Sequence, residues 1–331
     1  ASANRSGDAV AGALNIVTRD AYSFNGAFVR AGALRFTDEI EPVFGAVASG
    51  QLGPGRIIAG LNIQGRHNPK DKVSLRFEED GGAFAFDNRE DQSDVRDGTD
   101  YSFNTSYLLQ FANGAELELS GFYVRTDRQE VENSLTYEDE TSVDNADLVE
   151  VTPQVEDIIQ DNFSLGAELT FPSFGGETQI ELGFARFQDD IVGTEETTEY
   201  DPFPTVDAFE GTREIIDLVD DETSLELQHQ REFGATVLEF GVDFRLKERD
   251  SLITAAEIGA PGDPYDSFEL DSQFSLREQR IDPYLMFSGR SDAFQWEAGL
   301  RYEMTEVEIE GFADYDDDDI DDFDRADSDY A

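Results

Sequence analysis

The chain has no cysteine, which removes disulfide frameworks, thiolate zinc sites and thiol nucleophiles together. Histidine is nearly absent, with only His67 and His229, and so is lysine, with only Lys70, Lys72 and Lys247. No apolar run reaches the roughly 18 residues a transmembrane helix needs. The opening stretch ASANRSGDAV lacks the charged-then-apolar pattern of a secretion signal. Positive charge is the largest deficit: 24 basic residues face 74 acidic ones, for a net charge of -50. Such a surface repels phosphate backbones and argues against a nucleic-acid partner. It suits a marine or salt-adapted setting, where screening is strong, or a covering of divalent cations.

What the chain does have is a rhythm of turns. Short breaks rich in glycine, proline and asparagine fall at 52–56, 112–116, 172–177, 233–236 and 289–294. Their spacing of about 60 residues fits two strands and one long connection. Beside each break the sequence alternates with period two: Leu238, Phe240, Val242, Phe244 and Leu246 are set against Glu239, Gly241, Asp243, Arg245 and Lys247. Side chains alternate across a strand, so each strand has one apolar and one wet face.

A soluble sandwich also alternates. Two features favour a membrane barrel: apolar faces five or six positions long, and aromatics beside the short turns at Phe111, Phe171, Phe233, Phe294 and Trp296. The expected fold is all-β, an antiparallel up-and-down transmembrane β-barrel. About eleven strands are predicted, near 24–33, 42–51, 56–66, 99–111, 115–126, 160–171, 177–188, 222–232, 235–247, 273–288 and 293–309. Long polar loops are expected at 67–97, 127–158, 189–221 and 248–272. Together with the stretch from 311 they hold 49 of the 74 acidic residues and 9 of the 24 basic ones. Short turns on one side and long loops on the other is the asymmetry of outer-membrane barrels.

The terminal stretch GFADYDDDDIDDFDRADSDYA reads as the start of one more outside loop. It lacks the glycine and closing glutamate of a helix-loop-helix calcium site. Asp316, Asp318 and Asp319 offer loose coordination to Ca2+ or Mg2+, and a plain solvated acidic loop is the simpler reading. No resident cofactor is implied.

Residues 7–19, GDAVAGALNIVTR, differ from all that follows. They resemble the last strand of the plug domain in TonB-dependent outer-membrane receptors, a glycine- and alanine-rich stretch leading into Asn-Ile-x-Thr-Lys/Arg. Here those positions are Asn15, Ile16, Thr18 and Arg19, with Gly12 and Ala13 before them. WEAGLRYEMTEV at 296–307 is similar to a mid-barrel strand of the same family. The resemblance implies an internal fragment: residues 1–20 as the end of the plug, and 21–331 as the N-terminal half of a barrel of about 22 strands. It implies active uptake of a scarce ligand, of siderophore, haem, cobalamin or oligosaccharide type. The implied partners are the TonB energy-coupling complex, the bilayer and lipopolysaccharide, and the implied location is the outer membrane of a Gram-negative bacterium.

Two rival functions stay open. One is a passive porin-like channel of about twelve strands. The other is a barrel enzyme, disfavoured because neither histidine has an evident serine and acid beside it. Tyr137, Tyr200, Phe203, Phe209, Tyr265, Phe268 and Tyr315 are loop aromatics able to stack on a ligand, or simply to pack loops together. Glu239, Asp243, Arg245, Arg301 and Glu303 are expected to line the lumen, chiefly as ion pairs between strands. Pro202 and Pro204 are expected to stiffen the entry to a short excursion at 201–218.

Overall fold

A computed structural model describes residues 24–36, 39–80, 82–290, 294–313 and 326–330. The plug-like segment 1–20, Tyr315 and the aspartates Asp316, Asp318 and Asp319 lie outside the described residues. The chain runs up and down as β1 (Gly26–Arg35), β2 (Ile40–Leu52), β3 (Gly55–Asp80), β4 (Ala83–Gln110), β5 (Glu116–Tyr137), β6 (Leu148–Ser173) and β7 (Gly176–Tyr200). It continues as β8 (Val206–Phe233), β9 (Thr236–Ile258), β10 (Glu269–Arg290), β11 (Gln295–Arg301), β12 (Met304–Ala313) and β13 (Ala326–Tyr330). All join one antiparallel sheet in sequence order. β11 and β12 flank β10 in a single register, Tyr284↔Arg301 and then Ile281↔Met304, so they act as one strand interrupted at 302–303. The sheet is open, with β1 and β13 at the ends of the order. No helix among the described residues is long and apolar enough to cross a membrane, which says nothing of crossing by strands.

The short turns expected at 52–56, 112–116, 172–177 and 233–236 are present, and residues 291–293 of the fifth lie outside the described residues. Gly53 has φ 58, Gly234 has φ 65, and Phe174 and Gly175 have φ 46 and 76. Positive φ in two-residue loops matches the right-handed twist of the strands they join. Such loops lock register, because neither strand can slide without breaking the turn. The expected strands also recur, each containing or overlapping its counterpart.

The expected long loops do not. Residues 67–97, 127–158, 189–221 and 248–272 are mostly strand, and the true connections shrink to 81–82, 138–147, 201–205 and 259–268. β3, with 26 residues, is therefore about 85 Å long at a rise of about 3.3 Å per residue. The sequence hides these arms because both of their faces are polar, so period-two contrast fades. Cross-strand side-chain bonds support them instead. Arg76 reaches Glu90 at 2.7 Å, Arg186 reaches Asp221 at 2.6 Å, and Arg249 pairs with Asp220. The Ser134 hydroxyl, with Arg76 behind it, holds the Glu90 carboxyl below its ordinary range. Burial first, then the facing Glu130, pushes Glu156 above its own. Register shifts fall only toward the far ends of the arms, at Arg76/Phe77, Thr136/Tyr137, Glu199/Tyr200 and Leu270/Ser272. Bulges there bend the strand into its turn.

The 138–147 connection is ordered by Asp139. Its Oδ1 accepts from the backbone N–H groups of Thr141 and Ser142, both at 2.8 Å, and from the Thr141 hydroxyl at 3.0 Å. Those donors, the Thr141 backbone first, depress the Asp139 pKa. A depressed carboxylate stabilises the folded turn above its unfolded pKa, and the effect is lost as pH falls through the folded value. Acidification below the ordinary aspartate range therefore lowers the exchange protection of the Thr141 and Ser142 amides relative to their intrinsic rates at each pH. Asp139→Ala abolishes that pH dependence while leaving exchange in β5 and β6 unchanged.

Candidate functional site

β10 shows how the two faces differ. Arg280, Asp282, Tyr284 and Met286 are buried, while the alternating Ile281, Leu285 and Phe287 are 42%, 42% and 40% exposed. The sheet is thus polar on its covered face and apolar on its open face. The apolar face is continuous across strands: Leu119, Ala167, Leu182, Leu225, Phe244, Ile281 and Met304 follow one another in direct register. A parallel row runs Leu109, Leu117, Leu169, Ile180, Leu227, Val242 and Pro283.

The covered face carries an unusual counterpart. Glu118, Glu168, Glu181, Glu226, Asp243 and Asp282 pair directly from β5 to β10, one carboxylate opposite the next. Directly opposed like charges destabilise a sheet, so this row needs compensation. It comes at one end. Arg301 Nη2 lies 2.6 Å from Asp243 and 2.7 Å from Asp282, and its Nε lies 3.4 Å from Glu303. Arg280 adds contacts of 2.7 Å to Asp282 and 3.2 Å to Glu303. The geometry depends on Gly241, where a Cβ would come within 2.7 Å of the Tyr284 ring. That ring lies beneath the Arg301 guanidinium, 5.7 Å from its centroid.

Compensation thins out along the row. Glu118 accepts from Ser106 at 2.7 Å and Glu168 from Thr170 at 3.3 Å. Glu181 and Glu226 have no arginine or lysine at ion-pair distance among the described residues. They border a cavity of about 270 Å3 shared with Asp243, Arg245, Asp282 and Arg301. Asp243 Oδ1, Asp282 Oδ1 and Glu239 Oε1 are buried and find no hydrogen-bond partner among the described residues. The arrangement attracts cations and repels small anions, except beside the two arginines.

All five residues expected on the wet face share this covered face. Asp243, Arg301 and Glu303 meet in the ion-pair knot. Arg245 stands 3.4 Å from Glu222. Glu239 sits four residues along β9 and accepts from the Tyr284 hydroxyl. Sequence reading missed Asp282, Arg280 and the Glu118–Glu226 stretch. The signal was there, since each sits on the wet side of its strand, but a row appears only once register is known.

The aromatics expected in loops do not converge. Tyr137 ends β5 and is buried, its pKa raised by burial and then by Asp91. Tyr200 and Phe203 pack edge to face at 5.0 Å across the 201–205 turn. Phe209 lies on β8 opposite Thr198, so the expected excursion at 201–218 is a five-residue turn followed by strand. Tyr265 donates to Glu196 at 3.3 Å, and Phe268 is exposed beside β10. His229 Nδ1 meets the Thr178 hydroxyl at 2.8 Å, under Phe240 and Phe174.

Comparison of the chain with protein-family models, curated proteins and solved structures returns no match.

Removing one partner of a buried ion pair leaves an uncompensated charge. Arg301→Gln is expected to destabilise the fold by about 3 kcal/mol in denaturant unfolding. In the Asp282→Asn background the same change costs clearly less, with a coupling of about 1 kcal/mol or more in the double-mutant cycle. Strict additivity would mean that the arginine does not hold the row together.

Proposed function

We propose that the chain forms part of the wall of a transmembrane β-barrel in the outer membrane of a Gram-negative, salt-adapted bacterium. The observation that carries this is the inverted burial in β10, with Arg280 and Asp282 covered and Leu285 and Phe287 open. An exposed apolar face continuous over many strands needs an apolar partner. Its height fits a bilayer: Leu238 to Leu246 spans nine residues, against the roughly 9–11 of a tilted membrane strand. The covered face is then the lumen, and the polar arms project beyond the membrane on the side of the longer connections.

The barrel is read as a receptor for TonB-dependent uptake. Support for this finer step is the resemblance of Asn15, Ile16, Thr18 and Arg19, behind Gly12 and Ala13, to the end of a plug domain. The carboxylate row disfavours small anionic ligands and favours neutral or cationic ones. The same row supports a second reading, a passive cation-selective channel. The lipid bilayer and lipopolysaccharide contact the apolar face in either case.

The orientation of the faces is tested by adjacent substitutions. Leu227→Arg, on the apolar face, lowers folding stability in lipid vesicles by about 2–4 kcal/mol. Gln228→Arg, on the other face, stays within about 0.5 kcal/mol. Equal costs would end the barrel reading.

Uptake is tested in cells making the protein, with a ferric hydroxamate, haemin, cyanocobalamin and a neutral oligosaccharide as probes. At least one enters in a manner abolished by loss of TonB. A potassium conductance in planar bilayers, with no TonB-dependent entry of any probe, would replace the receptor with the channel.

A further inference from the structure

Far from the carboxylate row, three chain segments bring a histidine and two carboxylates together. His67 on β3 stands directly opposite Asp97 on β4. The β2–β3 ladder ends at Val43↔Gln64, so residues 39–42 leave it. Glu41 lies over Gly65, where a Cβ would leave it no room. Glu39 thereby reaches His67, and Phe36 packs edge-on against the imidazole at 5.8 Å. The histidine is 5% exposed.

Both carboxylates address one nitrogen. His67 Nδ1 lies 2.5 Å from Asp97 Oδ1 and 3.5 Å from Glu39 Oε2, and the three donor atoms all fall within 4.8 Å of one another. One Nδ1 proton satisfies only one of these oxygens. The nearby arginines are committed elsewhere: Arg66 to Asp100, Arg96 to Asp94 and Glu130, and Arg128 to Glu130. Among the described residues, Glu39 and Asp97 have neither arginine nor lysine as a partner.

We propose that Glu39, His67 and Asp97 form a binding site for a divalent transition metal of the zinc class. One imidazole nitrogen with two carboxylate oxygens suits zinc in chemistry and in number, with water completing the shell. Zinc takes such ligands at about 2.0–2.2 Å, so the donors need only spread slightly around it. The two carboxylate side chains are 47% and 48% exposed and have room to do so. A cavity of about 530 Å3 adjoins His67 and Asp97 and provides solvent access. With three protein ligands the site is exchangeable, and a bound ion fastens the β1–β2 connection onto β3 and β4. This assignment does not depend on the uptake reading.

The test exploits the fact that the chain has only two histidines. Full-length protein labelled with 15N at histidine is titrated with zinc chloride in detergent micelles, under excess Mg2+ to occupy the general acidic surface. The expected result is a saturable shift of the His67 imidazole at one zinc per chain, with the His229 signals unmoved as a report of intact fold. Glu39→Gln and Asp97→Asn each weaken binding roughly tenfold or more. His67→Gln removes the saturable phase. An unmoved His67 signal, or equal zinc binding by His67→Gln, would overturn the site and leave only an imidazole–carboxylate hydrogen bond.

Discussion

Everything in this sheet depends on register. Side chains alternate with period two, so a slip of one residue at any strand pair would move a whole wet face to the apolar side. Two-residue turns at 53–54, 174–175 and 234–235 forbid that slip along one rim. With register held there, Ala167 must meet Leu182 and Glu168 must meet Glu181. The apolar band and the carboxylate row are one consequence seen from two sides.

The row carries an electrostatic cost that the fold concentrates at one place. Six carboxylates in direct register raise mutual repulsion, and low local dielectric strengthens it. Arg280 and Arg301, with side chains only 9% and 8% exposed, offset it from β9 onward. Each arginine contacts more than one acid, which suits the multidentate guanidinium. Toward β7 and β8, where Glu181 and Glu226 have no arginine or lysine at ion-pair distance among the described residues, solvent in the cavity adds screening. The row is therefore neutralised at one end and open to cations at the other.

Much of the fold was legible from turns and alternation alone. Glu168 and Glu181 lie equally far from the 174–175 turn, and Glu226 and Asp243 equally far from the 234–235 turn, so those pairings follow from counting. The other pairings do not follow. Glu118↔Glu168 and Glu181↔Glu226 are set across the far connections, whose lengths the sequence blurs and where bulges shift the count. The same blur turned polar arms into expected loops. Strand pairing there rests on cross-strand ion pairs, such as Arg186 with Asp221, and these leave little hydropathy contrast to read. The His67 cluster was hidden for a different reason: Glu39 joins it only because the chain leaves the β2–β3 ladder, which no periodicity announces.

The acidic excess then acquires a physical division of labour. On the arms, carboxylates face water, and the scarce arginines sit where strands would otherwise repel, as Arg96 and Arg128 do around Glu130. On the apolar half, charge lies mainly on the covered face, because an ionised group on the open face would destabilise any apolar contact, and Arg231, opposite Leu238, sits at the rim over the Phe233 ring. The sequence thus keeps its net charge of -50 without placing it where the sheet presents Leu225, Leu227, Phe240 and Leu285. In a soluble sheet protein the same separation serves only where a second layer covers the apolar face. In a barrel wall, the same separation is required by the lipid outside and the water inside.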